Sequence, residues 1–257
     1  MSTPKTVCAL ILCLLAASCG PQGLLDGLAP AGRGRVVAAA SGDSLVLAGG
    51  ERVRLAGVEA PRADEPFGPE ARAILASLAV GREVEFLSGG ARQDRFGDTL
   101  AQVREPGGQG RWLEGALLRA GAARVRTWPD NRAMAAAMLL EEARARVAGR
   151  GLWALQAYQV RLPEEVGPDA RGFTVVEGRV ASVGEEGARA ILGFGPSRFA
   201  AEIPPSARDD FSAAALEPAS LRGRLVRVRG PVRPTFDGPR LQIETPEAVE
   251  ILEAPRR

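Results

Sequence analysis

Residues 42–62, GDSLVLAGGERVRLAGVEAPR, admit few folds. Two short β runs, Leu45 to Leu47 and Arg52 to Leu55, are joined by an Ala-Gly-Gly turn. In the second run Val53 and Leu55 alternate with Arg52 and Arg54, the pattern of a half-buried strand. A hairpin returns its ends to each other, so Asp43 before it and Glu59 after it converge near Arg54 within it. Two carboxylates beside one guanidinium suit a hard cation and a phosphate held side by side. Taken singly, Asp43 after a glycine is an ordinary turn residue and Arg54 an ordinary strand arginine. Their joint spacing with Glu59 singles them out.

The flanking chain supplies the rest of a small domain. Arg35 to Ala40 reads as a first strand, ending at Ser41-Gly42-Asp43. Glu70 to Leu78 reads as a helix with Ala71, Ile74, Leu75 and Leu78 on one face, opened by Pro69 and with Glu70 at its positive end. Glu83 to Leu87 and Thr99 to Arg104 are strands. Trp112 to Ala120 is a helix stopped by Gly121. Arg132 to Val147 is a longer helix with Met134, Met138, Leu139, Ala145 and Val147 as its apolar stripe. Trp112, Trp128 and Trp153 lie at element edges and read as core or cap residues.

Composition narrows the chemistry. With 33 basic and 31 acidic residues, the net charge of +2 does not describe a strongly basic nucleic-acid binder. Apart from Lys5 every basic residue is arginine, which suits bidentate phosphate recognition, although Ala/Gly/Arg-rich usage also follows from a GC-rich genome. The chain has no histidine, which excludes a His base, a His metal ligand and a Ser-His-Asp site.

Residues 1–19 read as a targeting peptide: Lys5 in a positive start, Val7 to Leu15 as an apolar stretch too short to span a membrane, then Ala16-Ala17-Ser18-Cys19. That ending resembles a bacterial lipobox. It implies lipidation of Cys19 and a membrane-anchored envelope protein, whereas an ordinary secretory cut after Ser18 implies a periplasmic one. Cys8, Cys13 and Cys19 all lie here, so no disulfide is expected in the mature chain. Residues 20–34, rich in Gly, Ala and Pro, read as a tether.

The blocks GDS…RVRLAGVEAPR, EPFGPEAR at 65–72 and QDRFGDTLAQV at 93–103 resemble the thermonuclease (staphylococcal-nuclease-like) family, in order and spacing, over residues 35–155. The resemblance implies a mainly β domain with helices (α+β): an OB-fold-type five-stranded Greek-key barrel with three helices. It also implies phosphodiester hydrolysis around one Ca²⁺ held by two acids and a carbonyl, with a glutamate positioning water and two arginines stabilising the phosphate. By this resemblance Asp43 and Glu59 are the metal acids, Ala60 supplies the carbonyl and Arg54 is the first catalytic arginine. Two positions carry other chemistry: Arg62 stands where the glutamate belongs, and Asp98 where the second arginine belongs. The expectation is a disabled catalytic set, with Arg62 and Asp98 forming a salt bridge across the pocket. Asp64 or Glu65 for the water, and Arg92 or Arg95 for the phosphate, are the nearest substitutes.

Residues 156–172, interrupted by Pro163, Gly167 and Pro168, read as a linker, and residues 173–253 as a second, all-β domain. Its strands are expected at Thr174 to Val183, Ala188 to Phe194, Phe199 to Ile203, Leu225 to Val232, Leu241 to Glu244 and Val249 to Leu252. It resembles the small OB-like β-barrel domain appended to envelope thermonuclease-like proteins. Arg222, Arg224, Arg227 and Arg229 alternate with apolar residues, so one strand face meets either an anionic ligand or solvent. Arg95, beside the lost arginine, and Arg126, beside Trp128, are the candidate nucleic-acid contacts. Three functions follow: an envelope lipoprotein whose impaired domain binds or scaffolds, an active Ca²⁺-dependent phosphodiesterase using displaced residues, or a single-stranded nucleic-acid binder.

Overall fold

The computed structural model describes residues 22–107 and 110–252. The expected targeting peptide and Cys19 lie outside them. In chain order the first part comprises α1 (Gln22–Leu25), β1 (Ala29–Ala39), β2 (Ser44–Leu47), β3 (Arg52–Leu55), β4 (Val58–Glu59), α2 (Gly68–Ala79), β5 (Glu83–Ser88), β6 (Thr99–Arg104), α3 (Leu113–Ala120), β7 (Arg124–Val125) and α4 (Ala135–Val147).

Strands β1, β2, β3, β6 and β5 close a barrel in that order, the five-stranded architecture expected. Closure depends on β1, whose eleven residues pair with β5 at one end and β2 at the other. Register shifts at Pro30/Gly32 and Val36/Ala38 bend it round the corner. The parallel pair β3–β6, in register Val53↔Thr99 and Arg54↔Leu100, brings the hairpin against the strand that follows Asp98. Inward residues Val36, Leu45, Val53, Leu55, Val84, Phe86 and Val103 meet Leu75 of α2 and Leu113 and Leu117 of α3 in one core. Gly121 closes α3 in the left-handed conformation, as expected.

Three expectations are corrected. The segment read as a tether is structured from residue 22: Leu25 is buried in the barrel core, and β1 begins at Ala29 because the backbone of β5 needs a partner along its whole length. Val147 of α4 is exposed, not part of the stripe, while Glu141 and Glu142 are buried. Residues 156–172 are not a loose linker. Tyr158 packs with Ala145, Leu152, Trp153 and Val175, and its hydroxyl donates to the carbonyl of Pro66 at 2.7 Å.

The second part comprises β8 (Gly172–Arg179), β9 (Ser182–Glu186), β10 (Arg189–Gly193), β11 (Ala200–Ile203), α5 (Arg208–Ala213), β12 (Leu225–Arg233), β13 (Arg240–Gln242) and β14 (Val249–Ile251). They form a seven-stranded, barrel-like sheet in the order β14-β12-β13-β11-β10-β9, with β8 on the other side of β12. The single strand expected over 174–183 is two strands. Val180 donates to the Arg224 carbonyl and Ala181 to the Gly193 carbonyl, so the chain crosses from one neighbour to another at that point. Phe194, Phe199, Phe211, Val226, Val228 and Leu241 fill the core.

Candidate functional site

Asp43 opens β2 and is largely buried. Ser41 Oγ donates to its Oδ1 at 2.6 Å, and the Ala60 N–H to its Oδ2 at 3.4 Å. This close approach of the hairpin's two ends requires glycine at 42: a Cβ there would stand 2.6 Å from the Ala60 Cβ and 2.9 Å from the Ala71 Cβ. The hairpin therefore does bring Asp43 to the Glu59–Ala60 end. Arg54, opposite Ser44 in the β2–β3 ladder, places Nη2 3.7 Å from Asp43 Oδ2.

A residue that sequence reasoning missed completes the surroundings of Arg54. Asp94 Oδ2 lies 3.9 Å from Arg54 Nη1. Its Oδ1 accepts N–H bonds from Phe96 at 2.8 Å and Asp98 at 3.1 Å, while Oδ2 is buried with no hydrogen bond. Arg54 is thus flanked by two carboxylates. The available signal was an aspartate two residues before Phe96-Gly97, in the position that folds a turn on its own side chain.

The expected Arg62–Asp98 bridge does not form. Asp98 pairs with Arg52, Nε to Oδ2 at 3.3 Å, because the parallel register sets the start of β6 beside the start of β3. Arg62 is exposed in the loop after β4, and its N–H donates to Glu65 at 2.8 Å. Glu65, one of the two acids considered as a substitute, is thereby tied into that loop. Arg95 lies over the exposed Phe96 ring, 4.7 Å from its centroid.

Glu59 pairs with Arg126, accepting from its Nη1 at 2.7 Å. Arg126 is not a free nucleic-acid contact: it stacks on Trp128 at 4.4 Å and on Phe173 at 5.6 Å. Arg124 beside it donates to the Phe173 carbonyl and lies over the Tyr158 and Phe173 rings; burial lowers its pKa. The expected calcium ligands therefore do not fit the ion. Each of the two carboxylates is already faced by a guanidinium, and no group of three acidic, His or Cys side chains suited to a metal exists among the described residues. Ca²⁺ takes six to eight oxygen ligands.

The arginines of β12 answer to neither reading given above. Arg229 is buried, with Nη1 2.9 Å from Glu142 Oε2 of α4 and Nη2 paired with Glu250 of β14. Burial opposes its charge, but Glu142 and Glu250 outweigh it and raise its pKa. Arg227 joins Glu177 and Glu250, and Arg146 joins Glu142 and Glu250. The Glu142 carboxylate also accepts the Val125 N–H at 2.6 Å. This network holds the second sheet to the barrel. The spacing of Glu142, four residues after Met138 and three before Ala145, puts it on the apolar stripe of α4.

Residues 52–155 match the family model described as Staphylococcal nuclease homologue. A stretch of 84 residues is 40% identical to Micrococcal nuclease of Shigella flexneri, covering 30% of this chain and 47% of that protein. The match thus spans about half the length of the curated relative.

Proposed function

Because residues 52–155 form a thermonuclease-like domain, we propose that the chain is an envelope protein, anchored through a lipid on Cys19, whose barrel binds single-stranded nucleic acid but hydrolyses it poorly or not at all. One observation carries the reading: Arg54 lies between Asp43 and Asp94 at ion-pair distance. A phosphate entering there meets a guanidinium whose charge two deeper carboxylates already offset. Asp98, at the second arginine's position by resemblance, adds another negative charge. Removing one preorganised donor from a transition-state site costs about 10²–10³ in rate, and here Arg62 also replaces the water-positioning acid. Binding is assigned to the rim of the site, the loop 92–98, where Arg92, Arg95 and Phe96 are exposed. A stacked arginine and an exposed ring suit an unpaired base and its phosphate.

The test compares the parent with Arg92→Gln/Arg95→Gln for affinity to oligothymidylate at several salt concentrations. The variant should bind roughly tenfold more weakly, with a salt slope smaller by about one to two. Equal affinities remove the assignment of the rim.

The relative named as a nuclease favours a second reading, an active phosphodiesterase. Incubating the parent, Arg54→Ala and Arg62→Glu/Asp98→Arg with single-stranded DNA, with and without Ca²⁺, separates the two. Cleavage by the parent that Arg54→Ala abolishes establishes the second reading. Cleavage by the double variant alone supports the first.

A further inference from the structure

Buried and half-buried arginines of this chain commonly have carboxylate partners: Arg104 with Glu85, Arg132 with Glu247 and Asp210, Arg227 with Glu177, Arg240 with Glu186. Half-buried Arg161 departs from that habit, and Arg171, which is exposed, lies on the same recess. Neither has an ion-pair partner among the described residues, yet both line one recess of about 160 Å³. Thr174 and Phe173 of β8 contribute to its wall, with Val166 and Val232, and no described acidic residue does.

The backbone sets both residues at the wall of the recess. Arg161 runs beside β8, donating its N–H to the Val175 carbonyl at 3.0 Å and accepting from the Glu177 N–H at 2.9 Å. Gly172, at φ 82°, turns the chain between Arg171 and Phe173, a conformation that favours glycine. Two arginines ten residues apart in sequence thus line one small hollow, and Thr174 of β8 lines it with them. The volume is below the roughly 300–1,000 Å³ of sites for drug-sized ligands, and suits one oxyanion with its ester substituent.

We propose that this recess is a binding site for a phosphoryl group, with Arg161 and Arg171 as charge-assisted donors and the Thr174 hydroxyl beside them. A phosphoryl group offers several strong acceptor oxygens and up to about two negative charges against the two cations, where a carboxylate offers one. One residue of the recess wall, Phe173, also touches the barrel. Its ring receives Arg124 at 4.8 Å and Arg126 at 5.6 Å, and Arg126 is bonded to Glu59. A strand leaving the barrel delivers a backbone phosphate to it; this last step rests on the proposed nucleic-acid binding, the phosphoryl site itself does not.

The experiment is a calorimetric titration of the purified chain with inorganic phosphate, repeated for Arg161→Gln/Arg171→Gln and for Arg33→Gln, an exposed arginine of β1. Thermal unfolding confirms that each variant is folded. Saturable binding in the parent, weakened roughly tenfold or more in the double variant and unchanged in Arg33→Gln, is expected. No saturable binding, or equal binding in the parent and the double variant, overturns the site. The same proteins are then titrated with oligothymidylate. A loss of affinity with a salt slope smaller by about one to two identifies the ligand as backbone phosphate; unchanged affinity, with phosphate binding lost, identifies a small free phosphate compound. Arg92→Gln/Arg95→Gln, expected to lose the oligonucleotide and keep inorganic phosphate, separates failure of the rim from failure of the recess.

Discussion

Asp94 holds two N–H groups with one carboxylate oxygen and turns the other toward Arg54. Those roles are separable. In Asp94→Asn the carbonyl oxygen keeps the turn while the charge beside Arg54 disappears. The variant should bind oligothymidylate a few-fold more tightly than the parent, on the order of 1 kcal/mol; weaker or unchanged binding in a filter or gel-shift titration contradicts the neutralised-arginine account. Glu114, near the start of α3, is a different case. It is fully buried, and its two oxygens accept the Val103 N–H at 3.0 and 3.2 Å. Burial raises its pKa well above the ordinary glutamate value, outweighing the hydrogen bonds that favour the anion. The folded state therefore holds a proton that the unfolded state releases, so this contribution is complete below the unfolded pKa and is lost as pH rises toward the folded one. Glu114→Gln keeps an acceptor for Val103 and cannot ionise. Urea denaturation should find it more stable than the parent at pH 7, with the gap closing near pH 4; a gap independent of pH contradicts the burial argument.

Among elements, β1 shows how far pairing overrides composition. Residues 29–34, APAGRG, have the make-up of a flexible tether, yet they form a ladder with β5. Before them, α1 delivers Leu25 to the barrel core. A short helix of four residues has little stability of its own, so its place depends on packing such as that of Leu25. Leu25→Ala should cost about 2–5 kcal/mol in chemical denaturation; a cost below about 0.5 kcal/mol would show that the segment contributes nothing. At α4 residue type and position conflicted. Glu141 and Glu142 are charged, but their spacing from Met138 and Ala145 puts them on the buried face, where the second sheet and Arg119 give both acids arginine partners.

At the scale of the molecule, the barrel and the second sheet are joined by buried charge. Arg229 meets Glu142 across the boundary, Thr127 and Thr245 share a hydroxyl hydrogen bond at 2.8 Å, and Arg132 reaches both Asp210 and Glu247. Removing one member of a buried ion pair leaves the other uncompensated, which typically costs about 3–5 kcal/mol. Arg229→Met should lose that much in urea denaturation, while Glu142→Gln, which retains an acceptor for the Val125 N–H, should lose less. Equal losses in the two variants contradict a penalty centred on the Glu142 carboxylate, left with Arg146 as its cation.

The sequence by itself determined the barrel's elements, and the family resemblance implied their closure. Alternation in Val53 and Leu55, the Ala-Gly-Gly turn, the helix start at Pro69 and the helix stop at Gly121 are local signals, and local signals survive folding unchanged. The same order of blocks carried the resemblance that the family match over residues 52–155 bears out. Only the tertiary structure decided where the charges go. Arg62 and Asp98 looked like partners, but register gave Asp98 to Arg52; Glu59 went to Arg126, Arg54 to Asp43 and Asp94, and Glu142 to Arg229. The physical reason is that a long, charged side chain carries no preference for a particular partner in its own sequence neighbourhood. It pairs with whichever opposite charge the strand register and the packing of the second sheet bring within a few ångströms.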